Sequence, residues 1–488
     1  MRRTYNSNKI TKKETARLEN WKQKAVERRQ IIQRQQKELK TLRQSRDLWK
    51  HKYKSEQEVS RQQRGQLAKL SVTGFEGQKV RHHSYKSLTI LLAVGMRLLG
   101  MISLRDCQKL LMMWYSLLKL DLKVPSINTI RNWEYKLGYY ELHQAGCPED
   151  VYSLILDESF CIGKQTLLLV LGVNLSTYSW KGALSFEDMR VLALGPKSYW
   201  KGEEIEQLIE GLKQRNYRIS YGVSDGGKNL VKALKNKQIA RVEDCTHVFS
   251  KLLEKRYKND PEFKEFCAQT SLLNRQCWMS CWASICPPKL KGKARFLNLY
   301  SLADWGEKNL KLLKILSAQE HLDEQGKQLY EKLKWLEHYT ELVEHLVQLT
   351  ELIKACFKLL KTQGLSLQSG QQIRTLLDQK QVPAFFDQGV RQYLDRNSEL
   401  LTQHDRLVCC SDIIESFFGK YKSQQRVNPA TGITSSCLRM ANYGKTIDEE
   451  TMIKSLEQVK IVDLQDWQTK NLLPTVNAKK RALYKICG

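Results

Sequence analysis

Between Tyr152 and Glu243 the chain spells strand, strand, strand, helix, strand, helix, strand, and this order restricts its possible folds more than any other feature. Tyr152–Leu156, Thr166–Val173 and Met189–Leu194 are short β-branched or leucine-rich runs set off by Gly163, Asn174 and Gly182, so three consecutive strands with short connections predict an antiparallel meander. The segment Gly202 to Arg215 then carries Ile205, Leu208, Ile209 and Leu212 on one stripe, the pattern of an amphipathic helix. A fourth strand at Ile219–Val223, a helix over Lys228–Asn236 and a short fifth strand at Arg241–Glu243 complete the series. Such an order lays the fourth strand beside the first.

Acids mark the places where that fold would need them for chemistry. Asp157 in SLILDESF ends the first strand, Asp225 in ISYGVSDGGKNL ends the fourth, and Glu415 in CCSDIIESFFGKYK lies in a segment with helical spacing. Three carboxylates meeting at one end of a sheet can hold two divalent cations. Mg²⁺ suits such a set because it takes hard oxygen ligands and retains waters, with Mn²⁺ as a substitute. Asp157 is expected to bridge the two ions, with Asp225 and Glu415 each completing one site. Alternatives stand beside each acid: Glu158 adjoins Asp157, although strand alternation lets only one face the site; Asp225 precedes Gly226 as an ordinary turn residue would; Asp412 is three residues from Glu415 on the same helical face.

The order of elements is that of the RNase H topology. The expected fold class is therefore α/β and RNase H-like, a mixed five-stranded sheet with flanking helices, interrupted by an all-helical insertion and preceded by an N-terminal helical region. The insertion follows from spacing: 68 residues separate Asp157 from Asp225, but 190 separate Asp225 from Glu415, and leucines recur at three- and four-residue spacing over Leu310–Leu316 and Leu329–Leu360. Five regions result: a basic helical arm (1–75), a helix-turn-helix (84–145), the first part of the sheet domain (150–260), the helical insertion (261–400), and the glutamate helix with the C-terminal segment (401–488).

The formal net charge of +28 points to a polyanionic partner, and with no apolar run long enough to span a bilayer, DNA is expected rather than membrane. Half of that charge lies in residues 1–70, which carry 21 Lys and Arg against 7 Asp and Glu. There Leu18, Ala25, Ile32 and Leu39 share one heptad position and Trp21, Leu42 and Trp49 another, a seam interrupted by Arg28, Gln35 and Arg46. The arm is read as a solvated helix or one that pairs subunits, with a homodimer on DNA expected. Ser103 and Pro125-Ser126 open two helices, the second bearing Asn128, Thr129, Arg131, Asn132 and Lys136 on its polar face for a DNA groove. Thirteen scattered cysteines and a polar, Arg-rich start without a secretory signal point to a reducing compartment, so the expected location is cytoplasmic and nucleoid-associated. Cys277, Cys281 and Cys286 match no common zinc spacing and are read as free thiols.

Several of these motifs resemble the bacterial insertion-sequence transposases of the Asp-Asp-Glu (DDE) type: the TIRNW stretch, the IESFFGKYK segment, and Asp244-Cys245-Thr246-His247, which is similar to their short acid-or-cysteine, two-residue, histidine motif. The resemblance favours Glu415 over Asp412. It implies a catalytic RNase H-like core, metal-dependent cleavage and strand transfer at the terminal inverted repeats of a mobile element, and joining to target DNA. It also implies a place near the scissile phosphate for His247. DNA contacts are expected from Lys289, Lys291, Lys293 and Arg295 in a basic loop and from Lys420, Lys422 and Arg426 after the glutamate, while Trp305 is read as a core-packing residue or as one that binds DNA by stacking on an extruded base. In one insertion-sequence signature Lys422 falls where the lysine belongs, whereas Ser411 and Val408 replace its arginine and tyrosine. Two other readings are a DNA-binding regulator without catalysis and an RNase H-like structure-selective nuclease.

Overall fold

The computed structural model describes residues 2–70, 77–161, 165–289, 296, 299–380, 382–424 and 432–486, in two compact units, Met1–Gly77 and Gln78–Gly488. The first unit is one long helix, α1 (Arg2–Leu70). Leu18, Trp21, Ile32, Leu39, Leu42 and Trp49 are all exposed on it.

The second unit begins with α2 (Ser87–Leu98), α3 (Leu104–Leu117) and α4 (Ile127–His143). The side chains of Ser103 and Ser126 cap α3 and α4, accepting hydrogen bonds from the backbone N–H groups of Asp106 and Thr129. Ile90, Val94, Leu111, Ile130 and Trp133 form the core of this bundle.

The sheet follows in the expected order: β1 (Val151–Cys161), β2 (Gln165–Asn174), β3 (Met189–Lys197), α5 (Gly202–Gln214), β4 (Arg218–Ser224), α6 (Lys228–Asn236) and β5 (Ala240–Glu243). Its strands lie in the order β3-β2-β1-β4-β5, with β1, β2 and β3 antiparallel and β4 and β5 parallel to β1 and to each other. This mixed five-stranded arrangement is RNase H-like. Strand alternation sorts β1 between two cores: Tyr152, Leu154 and Leu156 pack with Ile205, Ile209 and Leu234 of α5 and α6, while Ile155 joins Tyr221, Val223 and Val242 in the main core on the other face. Fully burying each of these large apolar side chains contributes about 1.5–3 kcal/mol, which fixes the register against a one-residue slip.

The main core is closed by α7 (Cys245–Tyr257) and by a run of helices: α8 (Pro261–Cys277), α9 (Leu299–Ser317), α10 (Glu324–Leu333), α11 (Thr340–Gln363), α12 (Leu367–Gln379), α13 (Ala384–Arg396) and α14 (Ser398–Gln403). The chain then returns to the sheet with α15 (Asp412–Gln424). A 3₁₀ helix, Ser435–Asn442, crosses α4 at Gly138, where a Cβ would stand 2.1 Å from the carbonyl oxygen of Leu438. Finally come α16 (Glu449–Gln458), α17 (Ile461–Asn471) and α18 (Val476–Ile486). Met452 and Leu456 of α16 complete the core of the α2–α4 bundle, so that bundle draws on both ends of this unit. No helix among the described residues is long and apolar enough to cross a membrane.

Candidate active site

Asp157 was expected at the end of its strand, but β1 continues to Cys161 because β2 pairs with it along its whole length, Asp157 opposite Leu169. What ends at Asp157 is the parallel ladder, whose last pair is Leu156 with Ser224. Asp225 follows at once, directly past the end of β4, so the two acids succeed a paired couple on neighbouring strands. Alternation from Tyr221 and Val223 puts Asp225 on the same face as Ile155 and Asp157. Gly226, at φ +97°, turns the chain away, and the Asp225 carboxylate accepts the Gly227 N–H at 2.8 Å.

Burial and neighbouring charge act together here. Burial, then the Asp225 carboxylate, then Glu415 push the Asp157 carboxyl up to about 7, against the Glu158 N–H that it accepts at 2.7 Å. Glu158 lies on the opposite face of β1 by alternation, yet burial and Asp225 raise it too. Two cations that sequence reasoning passed over flank Asp225: Arg241 donates to the Ser224 hydroxyl at 3.0 Å, and Lys251 donates to the Asp225 carbonyl at 3.1 Å.

The third acid arrives on α15. Ile414, Phe417, Phe418 and Tyr421 bury one side of this helix in the main core, leaving Glu415 and Lys422, seven residues apart, on a common outer stripe. Lys422 donates to the Ser159 hydroxyl on β1, which sets the helix along the strand that carries Asp157. Glu415 is exposed as a residue, but the atoms around its carboxyl and then Asp412 raise its pKa, while His247 and Lys361 act the other way. Asp157 thus feels the charges of Asp225 and, less, Glu415, while Glu415 itself faces mainly Asp412, His247, Asp244 and Lys361.

Asp412, the rival of Glu415, has a different occupation. Its carboxylate takes an ion pair from Lys361 of α11 and a hydrogen bond from the Thr246 hydroxyl at 3.0 Å. Burial acts to raise its pKa, and the Lys361 ammonium overrides that and holds it below the usual carboxylate range. Beside it the buried Asp244 accepts from the Ser411 hydroxyl and, at 2.7 Å, from the Thr246 N–H, capping α7.

The remaining expected residues divide. Asn128 and Arg131 are exposed on the first turn of α4 and bonded to each other at 2.8 Å; Thr129 and Asn132 are half-buried. Lys136 is instead buried and donates to the Leu456 carbonyl at 3.1 Å, because α16 covers that side of α4; a groove contact is replaced by a packing role. Trp305 is likewise corrected: its ring is buried against Trp335, and its N–H donates to the Ile285 carbonyl at 2.9 Å, leaving no face for a base. Lys420 lies 5.1 Å and 4.6 Å from the ring centres of Phe186 and Tyr443, around the helix from Glu415. Lys289 is exposed, whereas Lys291, Lys293, Arg295 and Arg426 lie outside the described residues. Aromatic surface near the acids comes from elsewhere: a groove of about 470 Å³ beside Glu415 is walled by Phe249, Tyr300, Phe357, Lys354 and Lys361.

Two sets of residues could hold a metal. Asp157, Asp225 and Glu415 offer the hard oxygens that Mg²⁺ or Mn²⁺ takes, and burial followed by the Asp225 charge lifts Asp157 to about 7, but the three carboxylates do not stand with oxygens all within 4.8 Å of one another, so a shared metal would have to draw them together. Asp244, Cys245 and Cys410 bring one oxygen and two sulfurs within 4.8 Å of one another. Sulfur does not suit Mg²⁺, and both Asp244 oxygens already accept hydrogen bonds. Cys277, Cys281 and Cys286 are free thiols, the first buried and the second exposed.

No protein-family model and no curated protein matches the chain. Among solved structures, a Drosophila P element transposase strand transfer complex aligns with 80% of this chain and 98% of that one, at 12% identity and a TM-score of 0.42.

Proposed function

We propose that this protein is a DDE-type DNA transposase that cleaves and joins DNA at the ends of its own element, with Asp157, Asp225 and Glu415 as metal ligands. The observation that carries the proposal is that Asp157 and Asp225 adjoin the last pair of the parallel β1–β4 ladder of an RNase H-like sheet, where burial, then Asp225 and to a smaller degree Glu415, raise the Asp157 pKa. Asp157 is assigned as the bridging ligand because it lies on the central strand β1, next to Asp225 at the end of β4. Bound there, two Mg²⁺ ions would supply an activated oxygen nucleophile and screening of charge on the phosphorus. The chain's own contribution is placement: α15 carries Glu415 to β1, His247 stands beside Glu415, and Lys422 lies along the same stripe to meet a phosphate. Tyr300 and Phe357 give the groove beside Glu415 an aromatic lining, with Lys354 as a cation, which supports stacking of DNA bases there. The exposed first turn of α4 is the part of the helix-turn-helix that can reach a groove. The kinship with bacterial insertion-sequence enzymes, the terminal repeats as cognate DNA and a homodimer on DNA belong to the same proposal and rest on sequence motifs.

The test is nicking of supercoiled plasmid carrying the DNA that flanks the reading frame, with Mg²⁺ or Mn²⁺. Wild-type protein is expected to nick, while Asp157→Asn, Asp225→Asn and Glu415→Gln still shift the DNA on a gel but leave it uncut. Near wild-type nicking by any of the three removes that acid from the site. Binding without any metal-dependent nicking favours the regulator, and cutting of branched or hybrid duplexes irrespective of sequence favours the structure-selective nuclease.

A further inference from the structure

The segment from Leu407 to Asp412, which delivers the glutamate helix, is held by three different elements. Leu365, just past the end of α11, exchanges backbone hydrogen bonds with Leu407 at 2.9 and 2.8 Å. The Val408 N–H donates to the Tyr221 hydroxyl of β4 at 2.7 Å, and the Cys409 carbonyl accepts the Cys245 N–H of α7 at 2.9 Å. The last fastening, and among the described residues the only ionic one, is Lys361 on Asp412, the first residue of α15, backed by the Thr246 hydroxyl. Lys361 is itself fixed, with its ammonium 4.5 Å from the ring centre of Phe357.

We infer that Lys361, a residue of the helical insertion, is a positioning residue for metal binding: through Asp412 it sets where α15 begins and hence where Glu415 stands, one helical turn later. The inference rests on the proposed role of the acid trio. Insertion and metal site are then linked by this ion pair in addition to the Leu365–Leu407 backbone pair, and an insertion displaced at the end of α11 lowers metal affinity without touching a ligand.

The experiment is Mn²⁺ titration of the full-length protein, free ion being read by electron paramagnetic resonance. Lys361→Met is expected to weaken the Glu415-dependent site about tenfold and Lys361→Arg to restore it. Glu415→Gln is expected to lose that site, and the double variant Lys361→Met/Glu415→Gln should match Glu415→Gln alone, because both act on one ligand. Thermal unfolding of each variant shows whether the fold persists; loss of Mn²⁺ affinity only in step with loss of the fold, or additive losses in the double variant, overturns the positioning role. Wild-type affinity in Lys361→Met, with Asp157→Asn still deficient, also overturns it while leaving the acid trio intact. Mn²⁺ binding untouched by Asp157→Asn instead overturns the reading of the trio, and this inference with it.

Discussion

Asp157 offers a direct physical test, because a ligand poised for metal must strain the metal-free fold. Its carboxyl is raised from 3.8 to about 7 by burial, Asp225 and Glu415. The native state thus binds this proton more tightly than the unfolded chain does. Stability is whole below the ordinary carboxylate value and drains away as the pH climbs to about 7. At about 1.36 kcal/mol for each tenfold change in proton affinity, the loss has a ceiling of about 4 kcal/mol at pH 8 and falls below about 1 kcal/mol at pH 4. Asp157→Asn keeps the shape and the acceptor for the Glu158 N–H but removes the charge. In EDTA at pH 8 the variant should therefore be more stable than wild type by about 2 kcal/mol, half the ceiling, since solvent and side-chain adjustment soften charge repulsion at a partly open site. Thermal unfolding followed by circular dichroism from pH 4 to 8.5 reads this as a Tm gap that opens as pH rises. Mg²⁺ should close it by stabilising wild type alone. A variant no more stable than wild type at pH 8, or a gap that ignores pH, refutes the reasoning.

Two further outcomes follow from the helical bundle. Arg131→Ala should weaken DNA binding and reduce the slope of log affinity against log salt by about 1, whereas Lys136→Met should leave that slope alone and cost about 0.5–1.5 kcal/mol of stability, since it removes the shorter of two hydrogen bonds to the Leu456 carbonyl and leaves the one from the His83 ring, which salt-dependent gel shifts and urea unfolding separate. Gly138→Ala places a Cβ 2.1 Å from the Leu438 carbonyl oxygen and should destabilise the protein by about 3 kcal/mol, again read by urea unfolding.

The sheet was legible because every strand announces itself: period and turn residues place β1 to β5, and the strand order follows from the helix between β3 and β4. The acids were legible for the same reason, since Asp157 and Asp225 adjoin the runs that position them. What the sequence hides is contact between distant segments. Lys361 sits among Lys354 and Lys358 on a leucine-spaced helix, and nothing near it announces a partner 51 residues away. Lys136 and Trp305 failed as surface residues because a helical polar face is inferred from its own helix alone, and in each case another part of the chain covers it. The choice between Asp412 and Glu415 needed the structure as well, for only there is Asp412 seen paired with Lys361.

The closure of the α2–α4 bundle by Met452 and Leu456 bears on how the protein comes into being. A ribosome releases residues 78–143 long before α16 exists, and until then Ile90, Val94 and Trp133 lack part of their cover. The core of this bundle is finished only when synthesis has passed Glu415, so its folding is tied to completion of nearly the whole chain.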